Sequence, residues 1–276
     1  MVKQFSEDKV RVNDGFWLML EKLGASRQAI AQHAQIPTSV LLNQATPTTQ
    51  QFFSIWQSLP AITNNADIGF DFVKTIKVTR LPPELFAASL AKDYRSALLR
   101  VARFKRLCAP EIITVNESNG MAKISIEWLN HQRIPDSLVD TTLSFLLALG
   151  RDNSATKIEI AAIHLQRSPS NEWDLEQLYS APIKFNCDHN AIVLKASELD
   201  TPLEGYNQAL SDMLLPQLEQ AITHQRQSQS YCEQVKWIIE QVLSAGSPTL
   251  NDVAKELGVS VRTLQRRITN EGHTFK

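Results

Sequence analysis

The chain has 276 residues and a formal net charge of -1, with 43% hydrophobic and 21% charged residues. Since a domain usually takes about 100–200 residues, this length predicts two domains with cores of ordinary size. The near-neutral charge excludes a protein that binds polyanions through its whole surface, so a basic site would have to be local.

Cysteines, histidines and enzyme motifs do not occur in the patterns that identify disulfide-rich, metal-binding or catalytic proteins. The three cysteines, Cys108, Cys187 and Cys232, are far apart, and their spacing fits neither a disulfide framework nor a metal site. The six histidines lack metal-ligand spacing, and no motif of a hydrolase, a nucleotide-binding enzyme or a metalloprotease occurs. We therefore expect no catalysis, no cofactor and no metal.

Neither a signal peptide nor a membrane span is predicted. The first 14 residues contain no apolar segment of the kind that signal peptides need. The longest apolar run, residues 143–150, is too short to cross a bilayer. We expect a cytoplasmic protein that does not contact the membrane.

The first 108 residues are predicted to be helical. Apolar side chains recur at helical spacing, and the segments are residues 15–24, 26–34, 48–59 and 84–107. Gly24 should end the first helix. Segment 27–42 has apolar residues at the spacing of a DNA-binding helix pair, but it lacks a turn glycine and has no basic residue after Pro37. We interpret it as a structural pair.

Alternating patterns follow from residue 111. Segments 111–115 and 121–129 read as strands joined by a tight turn at Asn119-Gly120. Residues 157–166 predict a central strand, since they are apolar on both faces, and residues 182–195 predict a second hairpin that turns at 188–190. Helices are predicted at 136–150, ended by Gly150, and at 173–180 and 203–222. The predicted fold class is α+β, with a helical half packed on a small antiparallel sheet.

A polar stretch separates the two predicted domains. Residues 223–230, THQRQSQS, contain no apolar side chain and read as an exposed linker or a frayed helix end. The predicted domains are residues 1–226, divided into a helical part (1–108) and an α+β part (109–226), and residues 231–276, with a linker at 227–230. An apolar stripe along residues 231–246 predicts the first helix of the second domain.

The closing stretch, residues 250–276, predicts a helix-turn-helix. Thr249 and Asp252 form a capping pair for one helix, Gly258 supplies the left-handed turn, and Ser260 caps the next helix. Ala254 is small enough for the point where the two helices cross. The segment is therefore all-α and separate from the α+β fold.

The second of these helices has the residue types that read bases. Arg262, Gln265 and Arg266 lie away from its apolar stripe, where arginine can bond guanine and glutamine can bond adenine through two hydrogen bonds each. Arg267 falls on the flank and suits a phosphate. From residue 249 to 276 there are five basic and three acidic residues, a local charge of +2.

Residues 250–276 resemble the first helix-turn-helix of AraC-family transcriptional regulators. Residues 182–203 and 20–41 resemble the branch of that family with an arabinose-binding-like N-terminal module. The resemblance implies that the second helix enters the major groove and that Thr249, His273 and Thr274 approach the backbone of double-stranded DNA. It also implies a bacterial activator that contacts RNA polymerase in the full-length protein. Such regulators carry two helix-turn-helices, so we expect the second to be missing from this chain.

In that family the N-terminal module senses a small molecule, dimerises, or does both. A pocket is expected between the helical half and the sheet, with Arg95, Arg100 and His164 as candidate anchors for an anionic effector. The alternative is a module that only forms homodimers and senses no ligand. A partly apolar cavity would favour sensing, and a filled core would favour dimerisation alone.

Overall fold

The computed structural model describes residues 9–41, 46–77, 81–129, 133–169, 174–228, 232, 235, 238–239, 249–272 and 274. The chain divides into two compact units, one of Glu7–Glu219 and one that contains Gln220–Lys276. Within the described part, no helix combines the length and the apolar character that a bilayer crossing requires.

Among the described residues, the first unit begins with six α-helices, in the half that the periodicity predicts to be helical. They are α1 (Asp14–Lys22), α2 (Arg27–His33), α3 (Thr49–Thr63), α4 (Ile68–Thr75), α5 (Pro83–Ser89) and α6 (Tyr94–Phe104). Gly24, at φ +91°, follows the end of α1 in the left-handed region that favours glycine. The pair predicted at 27–42 consists of α2 and a single 3-10 turn at Thr38–Val40. That turn is too short to enter a groove, which agrees with the structural interpretation.

The long segment 84–107 forms two helices rather than one. Asp93 accepts the backbone N–H of Ser96 at 2.8 Å and so starts α6 as an N-cap residue. The predicted apolar stripe is nevertheless buried, since Leu90, Tyr94 and Leu98 are at most 5% exposed. Helix α4 was not predicted. It is only eight residues long, and its aromatic residues alone gave no clear period.

Five strands form one mixed sheet. They are β1 (Glu111–Ser118), β2 (Met121–Trp128), β3 (Ile160–His164), β4 (Ile183–Lys184) and β5 (Asn190–Lys195), in the order β1-β2-β5-β3-β4. The hairpin of β1 and β2 is confirmed, with Asn119 and Gly120 at φ +52° and +73° as a tight primed turn requires. The class α+β is confirmed.

The second predicted hairpin is wrong. Strands β4 and β5 do not pair, because β3 lies between them, parallel to β4 and antiparallel to β5. The backbone N–H groups of Asn186 and Cys187 donate to the carbonyls of Arg167 and Leu165. The residues after β4 therefore run beside the residues after β3 before the chain turns into β5. The central strand is consequently β5, and β3 is one strand from the edge.

Three more helices complete the first unit: α7 (Asp136–Arg151), α8 (Leu175–Tyr179) and α9 (Gln208–Ser228), the last of which extends beyond Glu219. Gly150 does not end α7, which continues through Arg151. A Cβ at Gly150 would lie 2.6 Å from Ile158 and 2.9 Å from Tyr94, so the glycine permits close packing. Helix α9 continues into the predicted linker as far as Ser228, and residues 229–231 lie outside the described residues.

Helix α7 is the central element of the core. It contacts α3, α4, α6 and β5. The Ser137 hydroxyl donates to the Trp56 carbonyl on α3 at 2.8 Å, and the Tyr94 hydroxyl on α6 donates to the Leu146 carbonyl at 2.9 Å. At Gly69 of α4 an added Cβ would lie 2.4 Å from the backbone oxygen of Ser137, so α4 and α7 touch through their backbones.

A buried charged network fixes α7 to the sheet side of the unit. Arg167, just after β3, donates two hydrogen bonds to the Asp140 carboxylate at 2.8 and 2.9 Å. Tyr179 of α8 donates to the same carboxylate at 2.6 Å. All three side chains are at most 7% exposed, and burial raises the pKa of Tyr179 well above its ordinary value, which keeps its hydroxyl protonated as the donor.

Replacing Asp140 by alanine should lower the free energy of unfolding by about 3–5 kcal/mol, because it leaves the buried Arg167 guanidinium without a counter-charge. Urea unfolding followed by tryptophan fluorescence measures this. The control is Asp136→Ala on the same helix, whose half-exposed side chain should contribute about 1 kcal/mol or less. Equal losses in the two variants would contradict a structural role for the buried network.

Candidate effector cavity and nucleic-acid interface

A cavity of about 490 Å³ lies within the first unit. It is lined by residues of α1, α3, α4, α5, α6, α7 and the first two strands, so it occupies the predicted position between the helical half and the sheet. Its volume falls in the range of about 300–1,000 Å³ that small-molecule sites occupy. Most side chains of the wall are apolar, and they include Phe16, Phe52, Trp56, Phe72, Val101, Ile113, Trp128, Leu138, Phe145 and Leu146.

The charged residues that line the cavity differ in exposure, and they are Arg11, Lys77, Glu84, Lys105 and Glu111, of which Glu84 is partly buried. Arg11 and Lys77 line the cavity and are exposed, which places them towards its mouth. Glu111, by contrast, is 1% exposed and starts β1. A carboxylate this deep in an apolar wall requires partners, because an isolated buried charge is very costly.

Two partners compensate the Glu111 carboxylate. The Thr142 hydroxyl donates to Oε1 at 3.0 Å, and the Lys105 ammonium lies 3.2 Å from Oε2. Burial disfavours the charged form of Lys105, but the Glu111 carboxylate outweighs this effect and raises the pKa of Lys105. The adjacent Cys108 is a different case: burial raises the pKa of its thiol to about 11, so it remains protonated and unreactive.

Two indole N–H groups of the cavity wall have no acceptor. Trp56 and Trp128 are 1% and 2% exposed, and neither Nε1 atom has a hydrogen-bond partner among the residues described. Among the described residues, the Oε2 atom of Glu111 has only the Lys105 ammonium, 3.2 Å away, as a partner, and a carboxylate oxygen can accept a further hydrogen bond. Buried polar atoms without partners in a cavity are a signal of binding, because such atoms are usually satisfied.

The three predicted anchors do not line this cavity. Arg95 pairs on the surface with Glu117 and with Asp200. Arg100 donates to the Ala87 carbonyl at 2.8 Å and to the Ser211 hydroxyl at 3.1 Å. His164 lies on β3, where burial lowers its pKa.

Sequence reasoning missed the polar pair inside the cavity, although half of it carried a signal. The alternation of β1 puts Glu111 on the same face as Ile113, so the sequence placed a carboxylate on the core side of a strand. Lys105 carried no such signal, because it stands in a run of basic residues that reads as a solvated face.

The second unit contains the predicted pair of helices, α10 (Leu250–Glu256) and α11 (Val261–Asn270). Thr249 and Asp252 form a reciprocal capping box, and the hydrogen bonds from Thr249 lower the pKa of Asp252. Gly258 has φ +64° in the turn, and Ser260 caps α11 by accepting the Thr263 N–H at 3.2 Å. Each capping and turn residue has the predicted role.

A small core holds the two helices together. Val253, Ala254, Leu264 and Ile268 are at most 3% exposed. The described residues Cys232, Val235 and Ile238, which are helical, are buried in the same core. The Glu271 carboxylate, just after α11, accepts the backbone N–H of Cys232 at 2.8 Å. This bond satisfies a backbone donor of the preceding helical segment.

The predicted base-reading residues share an exposed surface. Arg262, Gln265 and Arg266 are all exposed on α11, on the side away from Leu264 and Ile268. Of the predicted backbone contacts, Arg267 is exposed, and Thr249 and Thr274 are exposed at either end of the motif. His273 lies outside the described residues.

Comparisons with known proteins give the family. Residues 24–203 match the arabinose-binding N-terminal domain of the AraC transcription regulator. This match spans more than half of the chain, which therefore belongs to the family of AraC-type transcription regulators, as the resemblance implies. No curated protein sequence gives a match.

A solved structure shares the fold. The crystal structure of the transcriptional regulator CdpR from Pseudomonas aeruginosa has a TM-score of 0.52 to this chain at 17% sequence identity. The similarity covers 96% of this chain and 81% of that chain.

Ala254→Leu should destabilise the second unit by about 1–3 kcal/mol, because the added atoms overpack a core in which Ala254 is 2% exposed. Amide hydrogen exchange of residues 249–272 measures this locally, without interference from the larger first unit. Lys255→Leu, at the exposed neighbouring position, is the matched control and should leave exchange unchanged. Unchanged protection in Ala254→Leu would contradict the packing described here.

Proposed function

We propose that this chain is a sequence-specific DNA-binding regulator of transcription, and that α11 reads the major groove of its operator. The observation that supports this most is the exposed face of Arg262, Gln265 and Arg266 on the second helix of a capped helix pair. An α-helix fits the major groove, and these side chains can each make two hydrogen bonds to a purine.

The phosphate backbone would be held by the residues around this face. Arg267 lies on the flank of α11, while Thr249 and Thr274 lie at the two ends of the motif, and His273 belongs to the same proposal. Such contacts orient the helix but carry no sequence information. The local charge of +2 between residues 249 and 276 favours DNA binding in a chain whose net charge is -1.

Arg266→Ala should weaken binding to a selected operator by about 1–3 kcal/mol and affect random DNA much less, since it removes a base contact. Arg267→Ala should weaken both to a similar degree and reduce the salt dependence by about one released counterion. Gel-shift titrations at two salt concentrations, with a site selected from a random DNA pool, separate these effects.

The control for these titrations is Lys195→Ala. It removes the same charge from an exposed position on β5 of the first unit and should change neither affinity nor salt dependence. If Arg266→Ala weakened every DNA sequence equally, the placement of α11 in the groove would be wrong.

We further propose that the first unit binds a small-molecule effector in the cavity of about 490 Å³. The cavity supports sensing over the alternative of a module that only dimerises, because a module of that kind has no need of buried indole donors that lack an acceptor among the described residues. Homodimerisation, contact with RNA polymerase, activation of transcription and a cytoplasmic location belong to the same proposal. On this account the chain acts by binding and not by catalysis.

An effector that binds only the native state should raise the melting temperature of the chain, by an amount that grows with its concentration relative to Kd. A thermal-shift screen of metabolites against the whole chain measures this. Bound compounds should lose their effect when the cavity is filled by Val101→Trp, provided that this variant is folded by circular dichroism. Compounds that stabilise the filled variant equally bind elsewhere.

A further inference from the structure

We infer, on the basis of the effector site proposed above, that the cavity selects an uncharged, mainly apolar small molecule with one hydroxyl-type group that both donates and accepts a hydrogen bond. The apolar part would fill the aromatic wall. The hydroxyl-type group would lie between the indole of Trp128 and the carboxylate of Glu111.

The wall of the cavity excludes a sugar-like ligand. Aromatic and aliphatic side chains from α1, α3 and α7 form most of the surface. Each hydroxyl buried against such a wall without a partner would cost free energy, and a polyol carries several. The family description refers to arabinose, but the chemistry of this cavity favours an apolar body.

The position of the polar group follows from the pairing of β1 with β2. Glu111 and Trp128 are directly opposite each other in the antiparallel register, so their side chains project from the same face. Trp128 Nε1 is a donor without an acceptor among the described residues. Glu111 Oε2, whose partner there is the Lys105 ammonium at 3.2 Å, can accept a further hydrogen bond. A hydroxyl satisfies both, because it accepts from the indole and donates to the carboxylate.

Charge at the same place excludes an acidic ligand. Glu111 is 1% exposed, and its charge is already balanced by the Lys105 ammonium at 3.2 Å. A ligand carboxylate at this place would therefore be a buried charge without a counter-charge of its own, which is costly. The other cations that line the cavity, Arg11 and Lys77, are exposed to solvent.

Isothermal titration calorimetry of the whole chain with four probes tests this selection. The probes are β-naphthol, naphthalene, β-naphthoate and L-arabinose. β-Naphthol should bind best, and it should bind about five-fold tighter than naphthalene because of the hydrogen bonds of its hydroxyl. β-Naphthoate and arabinose should bind much more weakly than β-naphthol.

Two conservative variants connect the selection to named atoms. Trp128→Phe retains an aromatic ring beside Phe52 and Phe53 but removes the indole N–H, so the affinity for β-naphthol should fall about five-fold more than the affinity for naphthalene. Glu111→Gln removes the negative charge, so the preference for β-naphthol over β-naphthoate should fall by about five-fold or more. A general loss of packing would not produce either selective change.

The control is Trp17→Phe, which removes an equally buried indole that does not line the cavity and should change no affinity. If β-naphthoate or arabinose bound best and Val101→Trp abolished that binding, the inferred class would be overturned while the proposed effector site would survive. If none of the four probes bound, the inference would also be overturned, and the DNA-binding proposal would stand or fall by its own titrations.

Discussion

The fold of the first unit depends on the buried carboxylate of Asp140 in the middle of α7. A carboxylate in this position is tolerated only because Arg167 and Tyr179 supply three hydrogen bonds to it. Those partners come from the segment after β3 and from α8, so one side chain connects α7 to the edge of the sheet where β3 and β4 run parallel. Apolar contacts could hold the same layers together, but they would not specify one position along the helix. The charged network therefore sets the register in which α7 lies against the sheet.

With α7 fixed, the cavity becomes a stable feature and not a packing defect. The same helix carries the Thr142 hydroxyl that bonds Glu111, and its other side chains line one wall. A cavity in a core costs stability, because the atoms around it lose contacts. That cost is tolerable where the surrounding elements are joined by directional bonds, as α7 is to α3 and α6 through Ser137 and Tyr94. The hydrogen bonds of α7 stabilise the fold, so the cavity can persist beside them.

Much of the local structure could be predicted from the sequence, and the reasons differ from one element to the next. Asn119-Gly120 and the Thr249–Asp252 pair each determine a conformation by their own chemistry, so the first hairpin and the α10 capping box are correct. The second hairpin failed because strand order depends on long-range pairing, which residues 182–195 do not encode locally. The anchors of the cavity were misplaced for a related reason. Arg95 and Arg100 have the right charge, but each bonds a residue that is distant along the chain, Asp200 and Ser211 respectively.

The contact between α4 and α7 at Gly69 limits how the cavity can change in evolution. The helices meet backbone to backbone, and the Gly69 carbonyl also accepts a hydrogen bond from the Thr141 hydroxyl at 3.2 Å. Helices α4 and α7 therefore cannot approach each other more closely, and any side chain at position 69 would push them apart. If the backbone around the cavity is fixed in this way, homologues that respond to different effectors would differ in the side chains that line the cavity. Ligand preference in this branch should accordingly depend on the residues that line the cavity, while the residue at position 69 stays the same.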